Sequence, residues 1–245
     1  MYYTHIWNML NLRGKKVSFL VLFFLSLGQS VLAQELKYRP KYQENYEDKD
    51  IHYGFLFALP STRFNVTHSN EFLAASDSTV LITAPVTKGF RMGFVFNKFL
   101  NDHWDLRSTP SISLYERVVE YKFLKGSSRQ EIREATWIEI PVLLKYKSQR
   151  RMNSRMYMVA GLTFGFETNV RRRQLSGTER LTTRTTDLTL DYGFGLEQFL
   201  PYTKLTPELR FSTGLVNMYK PSDNPTTLGI SRLTTHSITL YLMFE

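Results

Sequence analysis

The chain has 245 residues, of which 42% are hydrophobic and 14% aromatic, and it carries a formal net charge of +9. It contains no cysteine, which excludes disulfides, thiol chemistry and cysteine-ligated metals. Its mean hydropathy of -0.27 excludes a bundle of transmembrane helices but is compatible with a β-barrel, in which about half of each strand is polar.

The positive charge does not by itself indicate nucleic-acid binding. Removal of residues 1–33, which hold Arg13, Lys15, Lys16 and no acid, lowers the net charge to +6. The remaining basic residues are spread over many predicted strands and loops, and neither a recognition helix nor a zinc-finger spacing accompanies them. The sequence therefore predicts no nucleic-acid partner.

Residues 1–33 are predicted to be a signal peptide. A basic stretch, RGKK, precedes the apolar run VSFLVLFFLSL, and Val31, Leu32 and Ala33 form a small-residue cleavage site before Gln34. The apolar run is too short to span a bilayer as a helix, which argues against an uncleaved anchor. The start codon stays open, because Met9 could also initiate the chain.

Residues 34–50 are predicted to form a periplasmic arm. They are charged, contain Pro and Tyr, and show no periodicity. Two interpretations stay open: the arm folds back over the base of the barrel, or it is a disordered leader to the first strand.

From residue 51 onward the pattern predicts a barrel domain, 51–245. The segment 137–161 shows the pattern best, because apolar residues alternate with charged ones on both sides of the short polar turn QRRMNS. Successive side chains of a strand point to opposite faces, so each strand of this hairpin has one apolar and one charged face. Together with it, the strand-like segments are 51–66, 87–100, 104–122, 185–199, 204–217 and 235–245.

The connections between these eight strands alternate in length. The predicted short connections are 101–103, 149–154 and 200–203, and the long ones are 67–86, 123–134, 171–184 and 218–234. Outer-membrane barrels have short periplasmic turns, long outer loops and an even number of strands. A soluble lipocalin-like barrel would place large apolar residues inward and could not hold so many charges in its core. The predicted fold is therefore all-β, an eight-stranded antiparallel up-and-down transmembrane β-barrel of the outer-membrane type.

The inward positions of these strands carry both signs of charge in similar numbers. Buried charges are tolerable only when they are paired and hydrogen-bonded, so the sequence predicts an ion-pair network that fills the lumen. The alternative is that these inward charged residues take part in transport or catalysis. The predicted members are Arg91, Arg107, Arg117, Glu139, Lys145, Lys147, Glu167, Asp187, Asp191, Glu197, Glu208 and Arg210.

No pattern in the sequence predicts an enzyme. The histidines are scattered, and neither HExxH nor GxSxG occurs, so no catalytic residue, metal site or cofactor is predicted. Basic residues near the periplasmic turns, Arg150, Arg151 and Arg155, are candidates for contact with a periplasmic partner. Two interpretations of the arginine-rich loop 171–184 stay open: it binds anionic groups of outer-membrane lipid and lipopolysaccharide, or it is a solvated basic loop.

Several segments resemble the PorT family of outer-membrane barrels. They are IHYGF at 51–55, LRSTPSISLYERVVEY at 106–121, IEIPVLLKYKSQRRMNSRMYMVAG at 138–161, LPYTKLTPELRFSTGL at 200–215 and the closing YLMFE. The resemblance implies a non-enzymatic accessory component of the type IX secretion system, which exports proteins carrying a C-terminal signal. It also implies other secretion components as partners and a place in the cell outer membrane. The alternative is a stand-alone small barrel for envelope stability or adhesion, and the oligomeric state stays open.

Overall fold

The computed structural model describes residues 40–68, 81–122, 128–168, 183–220 and 230–245. The predicted signal peptide and the first residues of the arm lie outside this part of the chain. The chain divides into two units, Met1–Pro40 and Lys41–Glu245, and the strands described below belong to the second unit. Among the described residues, no helix has the length and apolar character needed to cross a membrane.

One short 3-10 helix, Glu44–Asp48, precedes the strands. The strands alternate small and large exposures along most of their length, because every second side chain points outward. They are β1 Ile51–His68, β2 Leu81–Thr83, β3 Thr87–Phe99, β4 Trp104–Ser108, β5 Ser111–Lys122, β6 Ser128–Lys147, β7 Ser154–Thr168, β8 Thr186–Phe199, β9 Lys204–Gly214 and β10 Ile230–Phe244.

The sheet closes on itself because β1 pairs antiparallel with both β10 and β3. Each remaining strand pairs antiparallel with its sequence neighbours, with one exception. The strands β4 and β5 lie end to end, and both pair with β3 on one side and with β6 on the other. The short β2 pairs with β5 on the same side as β3, so β2 and β3 together form one strand of the barrel. The result is a ring of eight positions, and the predicted eight-stranded up-and-down barrel is confirmed.

The predicted continuous strand 104–122 is interrupted at Thr109 and Pro110. The pairs Ser108↔Val142 and Ser111↔Glu139 flank the break, so it lies opposite Pro141 on β6. Two prolines without an N–H remove ladder hydrogen bonds from this part of the wall. The Ser108 hydroxyl donates to the Pro141 carbonyl at 2.8 Å, and the register is the same on both sides of the break.

One hairpin and one further strand extend beyond the bounds that the sequence predicts. The β5–β6 ladder continues to the pair Lys122↔Ser128, so the connection is 123–127 and not the predicted 123–134. In the same way β10 begins at Ile230, inside the predicted loop 218–234. Polar residues at these strand ends conceal the strands in the sequence, because strands that leave the bilayer no longer need an apolar face. Most of loop 171–184 lies outside the described residues.

The outward face carries the large apolar side chains, among them Phe94, Met156 and Leu59, each more than 60% exposed. This exposure would be costly in water and is expected for a wall that faces lipid. Inward positions include glycines where neighbouring side chains need room. A Cβ on Gly195 would collide with the Tyr157 ring, and one on Gly161 would lie 2.8 Å from the Leu143 Cα.

The two ends of the barrel differ. We call the end that carries the turns 100–103, 148–153 and 200–203 the base, and the opposite end the outer end. At the outer end an apolar cluster lies inside the ring, formed by Phe64, Ile82, Tyr115, Val119, Trp137, Met218, Ile230 and Leu233. Short turns face the periplasm in barrels of this type, which sets the orientation.

Candidate functional site

The lumen is filled with charged side chains. Of the twelve residues that the sequence predicts to line it, all but Glu167 are buried, and Glu167 is half-buried near the outer end of β7. The strand period brings them together, because inward positions of neighbouring strands lie about 5 Å apart across each pair.

Glu197 lies at the centre of the basal half of the network. Its carboxylate accepts hydrogen bonds from Lys145, from Lys204 at 3.1 Å and from the Arg155 Nε at 2.6 Å. The side chains of all four residues are at most 3% exposed. One carboxylate thus satisfies three cations that would be too costly to bury alone.

Glu208 is the second anchor. It pairs with Arg107 at 2.9 Å and with Arg210 at 2.5 Å, and the Tyr157 hydroxyl donates to it at 2.7 Å. The Arg107 Nε also donates to Asn97 at 2.6 Å. Beside this group, Lys147 pairs with Asp105 at 2.6 Å. Because these partners come from several strands, they fix the strands relative to one another.

The outer half of the network is held differently. Arg91 pairs with Glu139, which also accepts a hydrogen bond from the Tyr115 hydroxyl at 2.9 Å. Arg117 has no carboxylate within ion-pair distance in the described residues. Its guanidinium instead lies against the rings of Phe64, Tyr115 and Trp137 at 5.1, 4.7 and 5.3 Å, in cation–π contact.

Two predicted ion-pair members are bound by hydroxyl groups. Asp191 accepts hydrogen bonds from Thr163 at 2.7 Å and Thr189 at 2.9 Å, and Asp187 accepts one from Thr235 at 2.7 Å. Within the described residues neither carboxylate takes part in an ion pair. The expectation that every lumen charge meets an opposite charge is therefore wrong for these two, as it is for Arg117. Threonine hydroxyls bind the two carboxylates instead, from β7 (Thr163), from β8 itself (Thr189) and from β10 across the lumen (Thr235).

One cavity of about 20 Å³ lies in the outer half of the network, lined among others by Arg91, Arg117, Asp187 and Asp191. That volume has room for about one water molecule. Side chains therefore fill most of the lumen at this level.

The described part of the arm folds back over the base. The Tyr46 hydroxyl donates to Glu245 at 2.8 Å and accepts from Lys204 at 2.6 Å. The Tyr46 ring stacks on His52 at 3.9 Å and meets Phe199 edge-on at 5.5 Å. Of the two interpretations of the arm, the structure has the one in which it covers the base.

The electrostatics of this contact are strong. Burial raises the pKa of Tyr46, and the nearby carboxylates of Glu245 and Glu197 raise it further. For Glu245 burial acts to raise the pKa, but Lys204 and Arg107 outweigh it and lower the pKa to about 2. Tyr46 therefore stays neutral and Glu245 stays charged across the physiological range, which preserves the hydrogen bond between them.

The three arginines predicted as partner contacts have different environments. Arg155 is only 4% exposed and binds Glu197 and Glu47, so the prediction that it is available to a partner is wrong. It is the second residue of β7 and points inward, whereas the sequence places it in a turn. Arg150 donates to the carbonyls of Tyr42 and Gln43, which binds the arm to the turn. Arg151 is exposed.

Sequence reasoning missed several lumen residues at strand ends. Asp105, Lys204 and Glu245 are buried members of the network. All three lie at the ends of the predicted strands 104–122, 204–217 and 235–245, at inward parity, for example Lys204 with Glu208. Parity extended to the strand ends would have found them. Among the described residues, no group of three or more His, Asp or Glu side chains could hold a metal ion.

A lipid-facing wall around a charge-filled lumen defines the class of small outer-membrane β-barrels. The chain belongs to the outer membrane protein beta-barrel domain family, which it matches over residues 33–220. The protein is therefore located in the outer membrane. No curated protein matches the chain.

Solved structures of outer-membrane proteins are similar to this chain. OprG from Pseudomonas aeruginosa is 13% identical, with a TM-score of 0.44, over 78% of this chain and 94% of OprG. Neisserial surface protein A is 13% identical, with a TM-score of 0.41, over 80% of this chain and 98% of that protein. Ail from Yersinia pestis, solved with the heparin analogue sucrose octasulfate, is 9% identical, with a TM-score of 0.37, over 80% of this chain and 99% of Ail.

Proposed function

We propose that the barrel is a non-enzymatic accessory component of the type IX secretion system and acts as a scaffold in the outer membrane, not as a channel. The observation that carries the scaffold role is the filled lumen, in which eleven of the twelve predicted charged residues are buried. A barrel that passes no solute works through its surfaces. The secretion role rests on the resemblance to the PorT family.

The segments that carry this resemblance have a structural role in common. Segment 138–161 forms most of the β6–β7 hairpin, and 200–215 includes the whole of β9. These two segments supply Lys145 and Lys204 to Glu197, and Arg210 to Glu208. Their residues therefore build the closed lumen and the base, and a resemblance there supports a shared architecture at the end where a periplasmic partner would bind.

Exposed side chains at the base outline the contact surface of the proposed scaffold. Arg151 and Met152 are exposed in the turn 148–153, and Tyr202 is 98% exposed in the turn 200–203. Tyr and Arg are enriched at the centres of protein interfaces. Arg150 binds the arm and Arg155 binds Glu197, so neither is free to contact a partner. We therefore propose Arg151 as the arginine that does.

Deletion of the gene tests the secretion role. We expect cargo with a C-terminal signal to accumulate in the periplasm and to disappear from the cell surface, with rescue by the wild-type gene. Complementation with Arg151→Glu tests the contact surface, and Lys98→Glu is the matched control, since Lys98 is an exposed outward residue of β3 near the base. We expect the first variant to rescue less well than the second at equal barrel levels.

The outcomes separate the two parts of the proposal. Normal surface cargo in the deletion strain would remove the secretion role and leave a stand-alone barrel for envelope stability or adhesion. Full rescue by Arg151→Glu would remove the proposed contact while leaving the secretion role intact.

A further inference from the structure

Four basic side chains form a cluster on the outside of the barrel near its outer end. Arg63 lies on β1, Lys88 on β3, and Arg232 and His236 on β10. All four occupy outward positions; the first three are exposed and His236 is half-buried. We call these four residues the outer basic cluster. It is separate from the lumen network, whose members point inward.

Strand register brings the cluster together. Arg63 is directly paired with His236, and Thr67 with Arg232, across the β1–β10 ladder. Lys88 pairs with Ser61 across the β1–β3 ladder, two residues from Arg63 on the same face. Cβ atoms of directly paired residues lie about 5 Å apart, and diagonal neighbours about 7–8 Å. The side chains of Arg63, His236 and Lys88 can therefore converge on one group, whereas Arg232 lies four residues from His236, about 13 Å along β10.

The cluster begins where the apolar surface ends. The last large apolar outward residues on the three strands are Leu59, Phe90 and Ile238, all exposed. Lys88 lies two residues beyond Phe90, and His236 lies two residues beyond Ile238, which corresponds to about 7 Å along each strand. The cluster is therefore at the level of the lipid headgroups on the outer side of the membrane, given the orientation set by the short turns.

No acid on the same three strands neutralises the cluster. The other outward residues of this region are Ser61, Asn65, Thr67 and Thr234, none of which is charged. On the adjacent strand, Glu116 of β5 lies one step beyond the pair Gly89↔Tyr115 and therefore opposite Lys88. Within the described residues, Arg63 has no such carboxylate on either strand that pairs with it. Arg232 donates to the Leu215 carbonyl at 3.4 Å.

We infer that the outer basic cluster binds the phosphate groups of the outer-leaflet glycolipid, the lipid A part of lipopolysaccharide. Arg63 and His236 face one phosphate from adjacent strands, Lys88 flanks it, and Arg232 lies at the edge of the site. Guanidinium groups bind phosphate through two parallel hydrogen bonds, and the acyl chains then lie against the apolar residues below. This inference is independent of the secretion role.

The test uses the full mature barrel in detergent micelles, with bis-phosphorylated lipid A as the probe and native mass spectrometry to count bound lipid. The test variant is Arg63→Gln with Lys88→Gln. The control variant is Lys98→Gln with Lys49→Gln, which removes the same charge from exposed positions near the base. At about 1 kcal/mol per basic residue near an anionic surface, we expect the test variant to bind lipid A roughly thirtyfold more weakly.

The control variant is expected to bind like the wild type, and lipid A without its phosphates is expected to bind weakly to all three proteins. Equal binding by the test variant and the wild type would overturn the inference. Equal losses in the test and control variants would also overturn it, because binding would then follow net charge and not position. Circular dichroism and the heat-dependent gel shift check that each variant is folded.

Discussion

At the scale of single residues, the lumen depends on a few carboxylates that each satisfy several cations. Glu197 accepts from Lys145, Lys204 and Arg155, and all of these side chains are almost fully buried. An intact buried pair contributes little net stability over an apolar one, but removal of one partner leaves charges without compensation. The carboxylate at the centre of the group should therefore be the most sensitive position.

We predict that Glu197→Gln lowers the free energy of unfolding by about 3–5 kcal/mol, because three buried cations lose their shared anion. Guanidinium titration of the barrel refolded into lipid vesicles measures the change. Glu116→Gln, which alters an exposed outward carboxylate of β5, serves as the control and should change stability by no more than about 0.5 kcal/mol. Equal stabilities of the two variants would contradict the central role of Glu197.

The inward residues of the strand interiors could be predicted, and the reason is the period of two. Glu139, Lys145 and Glu208 are buried as their parity requires. The partners of these residues could not be predicted, since they depend on strand register and side-chain reach. Asp191 illustrates this, because it is held by Thr163 and Thr189, which carry no charge that a search for ion pairs would notice.

At the scale of elements, the arm and the base turns act as one unit. Tyr42 donates its backbone N–H to Asn153 at 2.9 Å, and Arg150 donates to the carbonyls of Tyr42 and Gln43. The Arg150 guanidinium also lies 3.7 Å from the centre of the Phe199 ring. Composition could indicate that 34–50 is not a strand, but the docking could not be predicted, because it depends on turns more than a hundred residues away.

We predict that Tyr46→Phe loosens the arm without unfolding the barrel. The change removes the hydroxyl that donates to Glu245 and accepts from Lys204, and costs about 1 kcal/mol for the lost hydrogen bonds, while Lys204 and Glu245 stay directly paired. Trypsin should then cleave at Lys41 and Lys49 faster than in the wild type, as followed by mass spectrometry of the fragments.

Tyr202→Phe is the matched control, since Tyr202 is 98% exposed and its loss of a hydroxyl should leave the cleavage rate unchanged. If Tyr46→Phe and the wild type were cleaved at the same rate, the hydroxyl contacts would not be what holds the arm.

At the scale of the whole molecule, the sequence pattern predicts the closed ring because each strand carries its own alternation and the connections alternate in length. Interruptions are harder to predict. Pro110 and Pro141 are far apart in the sequence, and only the register of β4 and β5 on β6 brings them close together. The break between β4 and β5 depends on this register. The hairpin extension to Lys122↔Ser128 was hidden because the sequence SRQEIRE at 128–134 is mostly polar.

A barrel closed in this way has no conducting path through the described lumen. An apolar cluster lies across the outer end, paired charges fill the middle, and the arm covers the base. Eight-stranded barrels are narrow enough for side chains to fill them, in contrast to porins with 16 or more strands. The proposed scaffold role depends on this property more than on any single contact.

Conductance across a planar lipid bilayer tests that property most directly. The full mature chain is reconstituted and held at steady voltages of both signs, with a general porin in the same membrane as the positive control. We predict no discrete conductance steps from the barrel while the porin gives them. Reproducible channel steps from the wild-type protein would contradict a closed lumen and, with it, the scaffold role.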